Sequence, residues 1–111
     1  MAKIEKIVKG DFFKILNKIE EEVLDSSISA SLEESSDFVS GNAKCSVRVF
    51  ERYSMIGQNR LSLSVTLFQN KDDEIFITGI TSGGSQGVLL KVNRIGENSF
   101  LDVFEEIIDN L

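Results

Sequence analysis

The segment Leu61-Ser-Leu-Ser-Val-Thr-Leu-Phe68 alternates apolar and other residues without a break. Successive side chains of a strand point to opposite faces, so Leu61, Leu63, Val65 and Leu67 share one face and Ser62, Ser64, Thr66 and Phe68 the other. A helix cannot gather that pattern into one stripe. The chain is therefore committed to a sheet with one buried face, and its flanking segments should be strands that pair with this one. Upstream, Cys45, Val47, Val49 and Tyr53 share a face, and Met55 to Asn59 supplies a turn containing Gly57 and Asn59. Pairing Ser54 with Arg60 sets Val49 opposite Val65 and Val47 opposite Leu67, so the apolar faces agree. A slip of one residue would turn every side chain of one strand to the other face. Downstream, Gln69 to Asp73 reads as a second turn, and Ile75, Ile77 and Gly79 continue the apolar face.

The ends of the chain read as helical. Phe12, Ile15, Leu16, Ile19 and Val23 lie on one helical face after Asp11, a good N-cap, and predict a helix over 11–24. Phe100, Phe104, Ile107, Ile108 and Leu111 do the same for a closing helix over 98–109. Lys3 to Val8 reads as a short strand. Ser26 to Leu32, with serine at every second position, reads as another, continued in part through Phe38 and Val39 before the turn signal Ser40-Gly41-Asn42. Between Glu74 and Val92, two apolar runs flank a hinge of small residues, Thr81 to Gly87, and Val88–Val92 reads as a last short strand. The expected fold is α+β: one domain over 1–111, with a single mostly antiparallel sheet in the order β-α-β-β-β-β-β-α. Each helix has one apolar stripe, so both should pack on the same sheet face.

Several chemistries are excluded by composition. The 111 residues contain no His, no Trp, no Pro and one Cys. Histidine-based triads, and zinc sites built on His or several Cys, are ruled out, and no cofactor motif is present. Cys45 cannot form an internal disulfide, which fits a reducing cytoplasm. No secretory signal is expected at residues 1–10, and no apolar run suggests a membrane span. The net charge of −6 argues against nucleic acid as a partner. Acids concentrate in the helices, whereas Lys44, Arg48, Arg52 and Arg60 face only Glu51 across the 44–60 hairpin.

The hairpin pairing assigns Ser46, Arg48, Phe50, Arg52, Ser54, Arg60, Ser62, Ser64, Thr66, Phe68, Phe76, Thr78 and Ile80 to the second sheet face. Aromatic and arginine residues among small hydroxyls resemble interface composition. The first expectation is a non-enzymatic protein that forms a homo-oligomer through Phe50, Phe68 and Phe76. The alternative is a small-ligand binder or enzyme in which Arg48, Arg52 and Arg60 hold an anion with the turn Ser82, Gly83, Gly84, Ser85 and Gln86. That turn lacks the Lys-Ser/Thr and the helix of a phosphate loop, so a tight turn or bulge is its simpler reading. Glu51 beside Tyr53 invites an acid–base role, but a glutamate so placed more often sits at the sheet's end and reaches solvent or an Arg. Cys45 reads as a small hydrophobe and not as a nucleophile.

Segments Ala43–Met55, Asn59-Arg60, Ile80–Gln86 and Val92–Glu97 resemble a family of small uncharacterised proteins of Gram-positive bacteria, a domain of unknown function. Glu51-Arg-Tyr-Ser54 and Ser82-Gly-Gly-Ser-Gln86 are the most specific parts of a likeness that runs from Gly10 to Phe104. The resemblance implies a bacterial, cytoplasmic protein of this length and carries no activity, cofactor or catalytic residue.

Overall fold

The computed structural model describes the backbone of residues 1–54, 59–83 and 90–111 and the side chains of 1–53, 59–83 and 100–111. Its elements are β1 (Ala2–Lys9), α1 (Phe12–Asp25), β2 (Ser31–Ser40), β3 (Ala43–Ser54), β4 (Asn59–Gln69), β5 (Glu74–Gly83) and α2 (Leu90–Asp109). The five strands form one antiparallel sheet in the spatial order β1-β5-β4-β3-β2. Strands β2 to β5 run as a meander. The α1 crossover carries the chain from the β1 edge to the β2 edge.

The α1 helix starts as its sequence dictates. The Asp11 carboxylate accepts a hydrogen bond from the Lys14 N–H at 2.9 Å, satisfying one of the first-turn donors. Phe12, Leu16, Ile19 and Val23 are its buried stripe. Phe100, Phe104, Ile107 and Ile108 are buried from α2, and both stripes join Leu61, Leu63, Val65, Leu67, Ile75 and Ile77 in one core. Both helices therefore cover one face of the sheet. α1 lies over β3 and β4, and α2 over β1, β4 and β5. Beyond this layer β2 is bare, with every residue after Ser31 exposed.

Three sequence expectations are corrected. The stretch Val88–Val92 is not a strand, because residues 90–92 already belong to α2; Val88 and Leu89 lie outside the described residues. A short apolar run does not separate strand from helix by periodicity alone. Among the described residues the sheet consequently has five strands, and α2 begins eight residues before the expected start at residue 98. The strand expected at Ser26–Leu32 starts only at Ser31, because 26–30 close α1 and turn. There Ser26 Oγ donates to the Val23 carbonyl at 2.6 Å, and Ser27 Oγ accepts from the Ser29 N–H at 3.2 Å. Serine hydroxyls that bond nearby backbone favour a turn over a ladder.

The third correction matters most for function. β3 pairs with β4 one residue away from the expected register: Ser54 faces Asn59, Arg48 faces Val65 and Phe50 faces Leu63. The slip exchanges the two faces of β3. Ser46, Arg48 and Phe50 turn toward the helices and are buried, with Phe50 fully so. Cys45, Val47, Val49 and Tyr53 turn to the uncovered face. The expected turn Met55 to Asn59 falls, for residues 55–58, outside the described residues.

Two glycines are required by geometry. Gly41 opens the two-residue loop between Ser40 and Ala43 with φ of 57°, a conformation that costs a side chain with a Cβ. Gly79 lies under Phe104, where a Cβ would sit 2.4 Å from the ring. The ring therefore rests directly on the β5 backbone.

Candidate functional site

Cross-strand register organises the uncovered face into rows. Ile7 pairs with Phe76, Phe76 with Phe68, Phe68 with Cys45 and Cys45 with Phe38. One apolar row thus crosses all five strands. Its members stay accessible: Ile7 55%, Phe76 44%, Phe68 40% and Phe38 69%. The Phe68 and Phe76 rings lie 6.3 Å apart between centroids, a contact distance for aromatic pairs. A shallow groove of about 640 Å³ runs along the β1 side of this row, lined by Ile7, Phe68, Phe76, Thr66 and Thr78 among others.

The next rows are mixed. Glu5, Thr78, Thr66, Val47 and Ser36 form the second, and Lys3, Ile80, Ser64, Val49 and Glu34 the third. Ser82, Ser62, Glu51 and Ser31 form the fourth, with Ser62 and Ser82 hydroxyls bonded at 2.7 Å. Charge sits at the margins. Lys3, Glu5 and Lys9 lie on β1, Glu34 on β2, and an Arg60–Glu51 pair at the far end.

The arginines divide between the two faces. Arg48 is nearly buried at the helix edge. Its Nη1 lies 2.9 Å from Asp37 Oδ1 and 3.0 Å from the Val47 carbonyl, and its Nε 3.5 Å from Glu20 Oε2 of α1. Arg52, on the same side, places Cζ 4.5 Å from the Phe100 ring centroid, a cation–π contact. Burial pulls the pKa of Arg52 below its ordinary value. Arg60 is on the uncovered side, its Nε 2.8 Å from Glu51 Oε1 and its Nη2 4.0 Å from Glu33 Oε2. The hydrogen bond and charge of Glu51 raise its pKa. Each guanidinium is engaged by groups of its own neighbourhood, and the three do not share one side of the sheet.

With this geometry in hand, comparison with protein families matches residues 1–111 to DUF6054, a family of unknown function. The chain belongs to that family. No curated protein matches it.

In this DUF6054 chain the residues singled out by sequence fall as follows. Phe68 and Phe76 lie on the uncovered face; Phe50 does not, because the β3 slip sends it into the core. Ser82 and Gly83 end β5, whereas Gly84, Ser85 and Gln86 lie outside the described residues. Ile7, Phe38, Cys45, Val47 and Val49 join the face unanticipated. For Cys45, Val47 and Val49 the signal is present in the sequence: the odd positions of β3 are the more apolar ones, a pattern that reads as core and is instead the outer surface. Glu51 sits opposite Ser62 and is paired with Arg60. Among the described residues, no helix is long and apolar enough to cross a membrane.

Asp37 offers a test of the helix-side packing of β3. The Ser46 hydroxyl donates to its Oδ1 at 2.6 Å, and with Arg48 holds the carboxyl below the usual aspartate range. A depressed folded pKa stabilises the protein above the unfolded value, near pH 4, and the benefit fades as pH falls through the folded value. Asp37 is half exposed, so the contribution is within about 1 kcal/mol. The stability difference between wild type and Asp37→Asn should be constant from about pH 5 to 7 and shrink below about pH 4. Urea unfolding across that range checks it; a difference that grows toward acid contradicts the assignment.

Proposed function

We propose that this chain is a non-enzymatic interaction module that self-associates through the uncovered sheet face. The observation that carries the reading is the apolar row Ile7–Phe76–Phe68–Cys45–Phe38, which spans the sheet on the side away from both helices. Each large apolar side chain left in water forfeits part of the roughly 1.5–3 kcal/mol that full burial provides. A contiguous row of them is a larger liability than scattered exposed residues. The register also removes an obstacle. Arg48 and Arg52 lie on the other side, so two copies can approach without opposing them. An anion-holding role for Arg48, Arg52, Arg60 and the 82–86 turn draws less support, since these guanidinium groups already have acidic or aromatic partners.

Sedimentation equilibrium at micromolar concentrations tests the proposal. The expected mass exceeds the 12.4 kDa of one chain. Phe68→Ser and Phe76→Ser should each shift it toward the monomer while the circular dichroism spectrum is kept. A monomer throughout, unaffected by either change, would falsify self-association.

A further inference from the structure

We infer that the two copies meet about a two-fold axis running along the strands, so that β1 of one copy lies over β2 of the other and Lys3 faces Glu34. This rests on the self-association proposed above and adds its geometry. Face-to-face sheets pack about 10 Å apart with strands near alignment, and a two-fold axis relating them lies in the interface plane. Two orientations are then available: the axis runs along the strands or across them.

Charge separates the two. Both edge strands run in the same direction, because four antiparallel pairings separate them. The β1 edge presents Lys3 and Lys9 on the uncovered face, and its only acid is Glu5. The β2 edge has Glu33 and Glu34 toward the uncovered face and no base, its third acid, Asp37, lying on the helix side beside Ser46 and Arg48. An axis across the strands would stack β1 on β1 and β2 on β2, acid upon acid. An axis along the strands exchanges the edges and keeps each row against itself. Phe68 then meets Phe68 at the centre, Phe76 covers Cys45, Ile7 covers Phe38 and Ile80 covers Val49. The third row closes with Lys3 opposite Glu34 at both ends, and Arg60 of the central strand, which the same axis sets against its own copy, is neutralised by Glu51 of its own chain at 2.8 Å.

The area fits a stable pair. Five strands spaced about 4.8 Å, each with about eight residues of about 3.3 Å rise, outline roughly 600 Å² per copy. Two such faces reach the lower end of the roughly 1,200–2,000 Å² that specific interfaces bury. A small dimer of this kind should feel the charges at its margin. Lys3 and Glu34 are engaged there by residues of their own strands and lie exposed on the surface. Among the described residues, Lys3 reaches Glu5, at 3.8 Å on the surface, and Glu34 accepts from the adjacent Ser35 N–H, at 3.0 Å.

The test is a charge exchange. Lys3→Glu and Glu34→Lys alone each place two like-charge contacts in the homodimer, and should weaken association about tenfold. Mixed in equal amounts, the two variants should form a heterodimer of wild-type affinity, because both contacts are again of opposite sign. Sedimentation equilibrium of each variant and of the mixture reads this. Single variants that associate like wild type, or a mixture as weak as its components, overturn the axis. Assemblies that grow beyond two copies overturn it as well, since they indicate edge-to-edge addition of β1 to β2. A monomeric wild type instead removes the association itself, which Phe76→Ser reports separately.

Discussion

Phe50→Ser is expected to cost about 3–5 kcal/mol of stability, the loss typical of a large core ring truncated to a small side chain. Phe50 is fully buried opposite Leu63 and is the one wholly apolar side chain that β3 sends into the core between Arg48 and Arg52. The new hydroxyl would add the cost of a buried polar group beside a cavity. Val49→Ser, one residue earlier, should cost about 1 kcal/mol or less, because that side chain is only partly covered on the outer face. The contrast tests the phase of β3 directly. Urea unfolding should be measured below the concentration at which the chain associates, so that contacts between copies do not contribute. Equal losses at the two positions, or the larger one at Val49, would restore the opposite register.

Gly79→Ala is the second large effect. The added methyl would lie 2.4 Å from Phe104 Cε2 and 2.6 Å from Cδ2, closer than carbon atoms approach. Phe104 is fully buried, so its ring can yield only by displacing the core. A cost of about 1–3 kcal/mol is expected from overpacking. Phe104→Ala alone should cost about 3–5 kcal/mol through the cavity it leaves. The double variant should be less destabilised than the sum, because the methyl added on β5 then occupies space the ring has vacated. A coupling of about 0.5–3 kcal/mol is the expected size for residues in contact. Strict additivity over the four proteins of the cycle would show that α2 does not rest on the β5 backbone at Gly79.

The helices and the central strand were legible because their signals are local. The Phe12-Leu16-Ile19-Val23 stripe needs only the 3.6-residue period, and Asp11 marks its start. The Leu61–Leu67 alternation allows one buried face, and Ile75 and Ile77 follow it into the core. Alternation also places Gly79 on the correct face, but its reason, the ring of Phe104, comes from an element that begins at Leu90. Phe68 and Phe76 reach the outer face by alternation alone.

β3 is where local pattern failed. Both of its faces contain apolar residues, and hydropathy favours Cys45, Val47 and Val49 over Ser46, Arg48 and Phe50. A strand chooses its inner face by its neighbours. Here the inner face meets Glu20 of α1, which takes Arg48, and Phe100 of α2, which takes Arg52. Long arginine stems supply apolar cover while their charged ends find partners, so two arginines are tolerated beside the core. The same choice turns two valines and a cysteine outward and completes the apolar row.

By itself, the sequence determined the α+β class, the two amphipathic helices, the inner face of β4 and β5, and the exclusion of histidine chemistry. Each follows from composition or from periodicity within one segment. Only the tertiary structure decided that residues 90–92 are helix, that β3 presents its arginines inward, and that Ile7, Phe76, Phe68, Cys45 and Phe38 stand in line. These depend on pairings between residues far apart in the chain, and a single step of register inverts a whole strand.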